Sequence, residues 1–189
     1  AVALLHSFAY APAEDAFREV TAADPECAIA HWGAAMAYYN QLWEPPGAED
    51  IAKAQAEIAL ANAHPAKSAR ERDFIEAAAV YYRDADHAPP ADRARAYASA
   101  MAGVAARYPD DTEAQVFHAL ALIATAPPAD RTHANQKQAV DILEPLYRKY
   151  PQHPGIAHYL IHACDSAELA PRGLAAARAY AKIAPSAPH

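Results

Sequence analysis

Three residues near the end of the chain carry the sharpest chemical pattern: His158, His162 and Asp165. They stand at i, i+4 and i+7, and on a helix that spacing puts all three side chains on one face. Two imidazoles one turn apart can chelate a divalent transition metal such as Zn²⁺ or Cu²⁺. A carboxylate one turn further on can serve as a third ligand or orient the rings. His6, His118 and the terminal His189 are the further histidines that could complete such a site. The pattern is less specific than HExxH, because no glutamate lies between the histidines and no second motif accompanies them. The plainer alternative is a pair of groove or core histidines hydrogen-bonded to backbone or carboxylate.

No other catalytic signature accompanies this cluster. GxSxG, GxGxxG and the P-loop are all missing, and five glycines are too few to build phosphate-cradling loops. The expectation is therefore a protein that is not an enzyme. A net charge of −7, with no clustering of the basic residues, argues against a nucleic-acid partner. No apolar run reaches the roughly 18–20 residues that span a bilayer. Cys27 and Cys164 form no CxxC pair and read as small hydrophobes. The compartment, cytoplasmic or periplasmic, stays open. The chain opens on Ala1 and reads as a fragment or processed product.

The elements that must position the histidines are legible in the prolines. Abundant alanine favours helix and scarce glycine disfavours β-turns, so the chain reads as all-α. Sixteen prolines contradict this only until their places are read. Pro25, Pro65, Pro109, Pro151 and Pro185 each close an alanine-rich amphipathic run, and they stand 40, 44, 42 and 34 residues apart. Between them fall Pro45-Pro46, Pro89-Pro90 and Pro127-Pro128, each followed by an acidic residue suited to the next helix N-terminus. The predicted unit is a pair of helices. First helices run over 1–9, 27–42, 67–83, 111–124 and 154–165. Second helices run over 12–23, 49–63, 92–107, 131–149 and 171–183. Asp110-Asp111 suits a helix start. Pro145 alone falls inside a helix and should kink or locally break it.

The pattern resembles the tetratricopeptide repeat (TPR) family. Ala13, Phe17, Val20 and Pro25 match the spacing of its second helix, as do Ala139, Leu143, Leu146 and Pro151, while Trp32, Gly33, Ala35 and Tyr38 resemble its first-helix signature. The middle units are longer than the family's usual repeat. The stretches 2–8, 153–162 and 183–189 look like a poorly characterised group of bacterial TPR-containing proteins, often longer and often exported. The resemblance implies one domain over 1–189, a right-handed solenoid of about five helix pairs, continuing past His189 in a longer protein. Repeats in such an array touch only their neighbours. By that logic His118, from the adjacent unit, is a better third ligand than His6, and His189 lies beside the last pair.

The family's concave face commonly binds peptide, which makes Tyr39, Asn40, Tyr82 and Gln115 candidate groove residues, beside His158 and His162. The pairs Tyr38-Tyr39 and Tyr81-Tyr82 read more simply as packing between helices than as a stacking platform. The leading expectation is a protein- or peptide-binding scaffold, with a transition-metal-binding TPR protein as the alternative. An uncapped solenoid end would also expose an apolar face through which the chain could form a homodimer.

Overall fold

A computed structural model describes residues 1–187. Those residues form ten helices and no strands: α1 (Val2–His6), α2 (Tyr10–Ala23), α3 (Ala28–Met36), α4 (Ala48–Ala63), α5 (Ala69–Tyr82), α6 (Pro90–Arg107), α7 (Thr112–Ala124), α8 (Ala134–Lys149), α9 (Pro154–Ala163) and α10 (Ala170–Ile183). The all-α expectation holds, and each proline mark falls where a helix ends or begins. Pro90, Pro154 and Pro171 occupy first-turn positions, where the missing N–H has no helical partner to lose. Ser68 caps α5 by accepting from the Glu71 N–H, and Asp111 caps α7 by accepting from the Ala114 N–H.

Three local readings are corrected. The first helix stops at His6 rather than residue 9, and α3 stops at Met36 rather than 42. Past Met36 the backbone tightens through Tyr38 N–H to Ala35 O and Tyr39 N–H to Met36 O, which turns Tyr39 onto Tyr81 of α5 at 3.8 Å between rings. Tertiary stacking outweighs helix propensity there. Pro145 does not break α8, which runs on from Ala134 to Lys149 around it. Arg172 of α10 pairs with Asp141 and Glu144 on the turn before that proline.

Each helix packs on the next in sequence, and α3 also meets α5, α7 meets α9, and α1 meets α9. The core has two parts. One gathers Trp32, Phe74, Tyr81, Tyr97 and Phe117; the other gathers Val116, Leu120, Leu143, Ile156, Leu160 and Tyr180. Helix α7 is the wall between them, since Phe117 faces one and Val116 and Leu120 face the other. The α1 segment bridges them as well, with Leu5 on the helix in the first and Phe8, just past its end, in the second. Cys27 and Cys164 are free thiols. Burial pushes the Cys164 thiol up, as expected of a small core residue. Among the described residues no helix is long and apolar enough to cross a membrane.

Candidate metal centre where α1 closes on α9

Contact between α1 and α9 brings the first ten residues onto His158 and His162. Helix α1 ends with Ser7 as its cap. Beyond it Phe8 sits at φ 52, the left-handed region that a bulky residue adopts at a cost of roughly 1–2 kcal/mol. Two hydrogen bonds close this terminus, Phe8 N–H to Leu5 O and Ala9 N–H to Leu4 O, a motif that ordinarily places glycine where Phe8 stands. The strained turn aims the Phe8 ring at His158 (4.5 Å), His162 (5.4 Å) and Tyr159 (5.7 Å).

His158 is fully buried. Its ring lies between Phe8 and Tyr180, and Tyr180 stacks on it at 4.5 Å with an interplanar angle of 5°. Its Nδ1 stands 2.6 Å from the His6 carbonyl oxygen. A carbonyl only accepts, so Nδ1 carries a proton. The other ring nitrogen, Nε2, lies 3.1 Å from Nε2 of His162, which is half-buried one turn on, with Trp43 edge-on to its ring. With metal–nitrogen bonds of about 2.0–2.1 Å, nitrogens at this separation subtend about 100° at a shared ion, close to a tetrahedral or a cis octahedral angle.

The other predicted ligands do not join the pair. Asp165 lies past the end of α9, exposed, and only its backbone N–H turns back to His162 O. Helix α9 ends at Ala163, so the i+7 position is no longer on the helical face that the spacing assumed. His118 is half-buried on α7, where burial pulls its imidazole below the ordinary range, and it forms no three-ligand group with the pair. His189 lies outside the described residues. The residue that reaches His158 is His6, from the far end of the sequence, through its backbone. Packing of neighbours alone would not bring it there.

The His6 side chain builds a second cluster that sequence spacing did not single out. Its Nε2 donates to Glu113 Oε2 at 2.8 Å, and the Tyr159 hydroxyl donates to its Nδ1 at 3.0 Å. The other Glu113 oxygen accepts from His153 Nε2 at 3.1 Å, and His153 Nδ1 in turn accepts the Ile156 N–H at the start of α9. Burial alone would push the Glu113 carboxyl up. The hydrogen bonds from His153 and His6, and the attraction of both rings, outweigh it and hold the carboxyl far below the usual carboxylate range. Burial likewise keeps the Tyr159 hydroxyl protonated, as a donor.

These three, His6, Glu113 and His153, are the only described residues that gather three metal-ligating groups. Their hydrogens argue for a staple rather than a metal. His153 spends its Nδ1 lone pair on a backbone N–H, so Nε2 must carry the proton and offers no lone pair. His158 differs in that its Nδ1 donates to a carbonyl, the His6 oxygen, rather than accepting from a backbone N–H. Gly155 makes the staple fit, because a Cβ there would stand 2.5 Å from His6 Nδ1.

The groove candidates scatter. Tyr39 is 4% exposed and stacked in the core, and Tyr82 is 1% exposed, its hydroxyl donating to Ala35 O. Both tyrosine pairs serve packing between helices. Gln115 spends its amide on Ala105 O, tying α7 to the end of α6. Asn40 is half-open, in a cleft of about 180 Å³ with Tyr39, Trp43, Pro45, Tyr81 and Pro90; Tyr82 lines a different cleft. Compared with known proteins, the chain matches no family model, no curated protein and no solved structure.

Proposed function

We propose that this chain is a TPR-like array of helical hairpins that binds a divalent transition metal, Zn²⁺ or Cu²⁺, through His158 and His162. The supporting observation is the Nδ1–H of His158 held on the His6 carbonyl, which directs Nε2 at the Nε2 of His162. Imidazoles that ligate metals usually donate their second N–H in this way, because the bond fixes tautomer and orientation. In the metal-free state the His162 Nε2–H fills the gap. An ion would take its place as His162 moves its proton to Nδ1. Two protein nitrogens leave further coordination positions, which suits a bound small ligand more than a closed structural site. The TPR-like reading is supported by the succession of packed helix pairs, each helix on the next, while the contact of α1 with α9 departs from an open array in which only neighbours touch.

Isothermal titration calorimetry with Zn²⁺ and with Cu²⁺ tests this. One ion should bind per chain, with binding abolished in His158→Ala and in His162→Ala. The second variant is the safer for folding, since His162 is half-buried where His158 is fully buried. Heats in His162→Ala equal to the wild type would defeat the metal reading.

A second reading, a peptide-binding scaffold, is favoured by one observation. Trp43 is 56% exposed in the lining of the cleft that holds Asn40, which Pro45 and Pro90 also line. An indole left half in water beside prolines is the kind of anchor that holds an extended apolar peptide. Screening a peptide library against wild type and Trp43→Ala decides it: binders should lose affinity roughly tenfold or more in the variant. Binders indifferent to Trp43 would remove the cleft from consideration.

A further inference from the structure

We propose that α1 is an exchangeable element: the surface of α7 and α9 that holds it also takes the α1 of a second copy of this chain, giving a dimer in which each copy's α1 docks on the other. The inference goes beyond the metal reading and does not rest on it. The fit of the occupant is already displayed, because a second copy carries the identical segment. Leu5 and His6 are 4% and 1% exposed. The His6 ring lies 2.8 Å from Glu113 of α7 and 3.0 Å from the Tyr159 hydroxyl of α9, and it packs on Phe117 at 5.1 Å. Its carbonyl accepts from His158 Nδ1, and Gly155 leaves room for its ring. The nearest of these partners in sequence is 107 residues away. Helix α1 also packs on α2, and in an exchanged dimer that contact re-forms on the α2 of the second copy.

Two features make α1 separable. It has five residues and no side-chain cap, too short to hold a helix without the surface that receives it. Only Ser7, Phe8 and Ala9 join it to α2, and Phe8 is forced into the left-handed region at φ 52. Folding back across that turn is what puts α1 on its own chain. In the exchanged dimer the turn opens in both copies, the strain is released, and the contacts of α1 are made again on the other copy. Short strained hinges are where copies exchange elements, because the packing stays the same and only the hinge differs.

Two costs oppose exchange. Association removes rotational and translational freedom. Opening also lifts the Phe8 ring off His158, where its centroid stands 4.5 Å away. The closed monomer therefore prevails in dilute solution, and the dimer grows with concentration. Exchange sets His6 of one copy against Glu113, Tyr159 and His158 of the other, so each histidine centre is built from two chains.

Hinge length tests this in the full 189-residue chain. Deletion of Ser7 shortens an already strained turn, and sedimentation equilibrium should show dimerisation tighter by roughly tenfold or more. Insertion of Gly-Ser-Gly after Phe8 relieves the turn and should abolish the dimer. Association through a solenoid end would respond to neither change. Isotope-filtered NMR of a mixture of ¹³C-labelled and unlabelled Ser7-deleted chains identifies the contact: the His6 ring should show cross-peaks to Tyr159 that run between copies. The same spectra on concentrated wild type carry the test should the shortened chain fail to fold. A folded Ser7-deleted chain that stays monomeric would overturn the proposal. So would a dimer with no His6–Tyr159 contact between copies, or one that the insertion leaves equally tight.

Discussion

Phe117→Ala should lower the stability of this protein by about 3–5 kcal/mol, the usual cost of removing a buried aromatic ring. The value is large beside the 5–15 kcal/mol that holds a typical domain together. The ring is 2% exposed and stands at the meeting of three elements: 5.1 Å from His6 of α1, 5.5 Å from Trp32 of α3 and 6.2 Å from Phe74 of α5. The Trp32 and Phe74 rings meet it edge-on, near 85°, the arrangement in which aromatic edges and faces attract. Alanine would leave a void that the rigid ring neighbours cannot collapse to fill, so the cost should sit in the upper half of the range. Urea denaturation followed by circular dichroism measures it. A loss under about 1 kcal/mol would mean that Phe117 does not hold α1, α3 and α5 together as its position indicates.

Gly155→Ala should destabilise by about 1–3 kcal/mol, the cost of overpacking. Its sign carries the information. In an exposed helix the same change would stabilise by about 1 kcal/mol, because alanine is the better helix former. Here the new methyl would stand 2.5 Å from Nδ1, 2.7 Å from Cγ and 2.9 Å from Cε1 of the His6 ring. The ring is the flexible end of a side chain, but its nitrogens are held by Tyr159 and Glu113, so moving it breaks both bonds. The double variant Gly155→Ala with His6→Ala tests the mechanism. If the methyl acts by colliding with His6, the second change should cost clearly less in the Gly155→Ala background than alone, by at least 0.5 kcal/mol. Additive losses, or a more stable Gly155→Ala protein, would show that α1 does not press on α9 at this point.

The helices were legible for a simple reason. Proline removes an N–H and fixes φ wherever it stands, so a regular series of prolines marks boundaries that no tertiary context can erase. Asp111 as a cap was readable on the same local grounds. The early end of α3 was not, because the stack of Tyr39 on Tyr81 is a contact between residues far apart in sequence. The histidine pair stood out because a four-residue spacing is a local property of one helix. Asp165 misled because the same helix ends before reaching it.

What the sequence determined by itself is therefore whatever one helical turn can determine: the helix boundaries that the proline series marks, and that His158 and His162 share a face. Only the tertiary structure decided what stands opposite that face. His6 lies 152 residues from His158, and Glu113 lies 107 residues from His6. Neither partnership has a local signature, because each exists only when α1 docks on α9 across a glycine. The imidazole proton of His158 is the clearest case. Its spacing from His162 is written in the chain, but the proton on its Nδ1 is held by a carbonyl from the other end of the sequence.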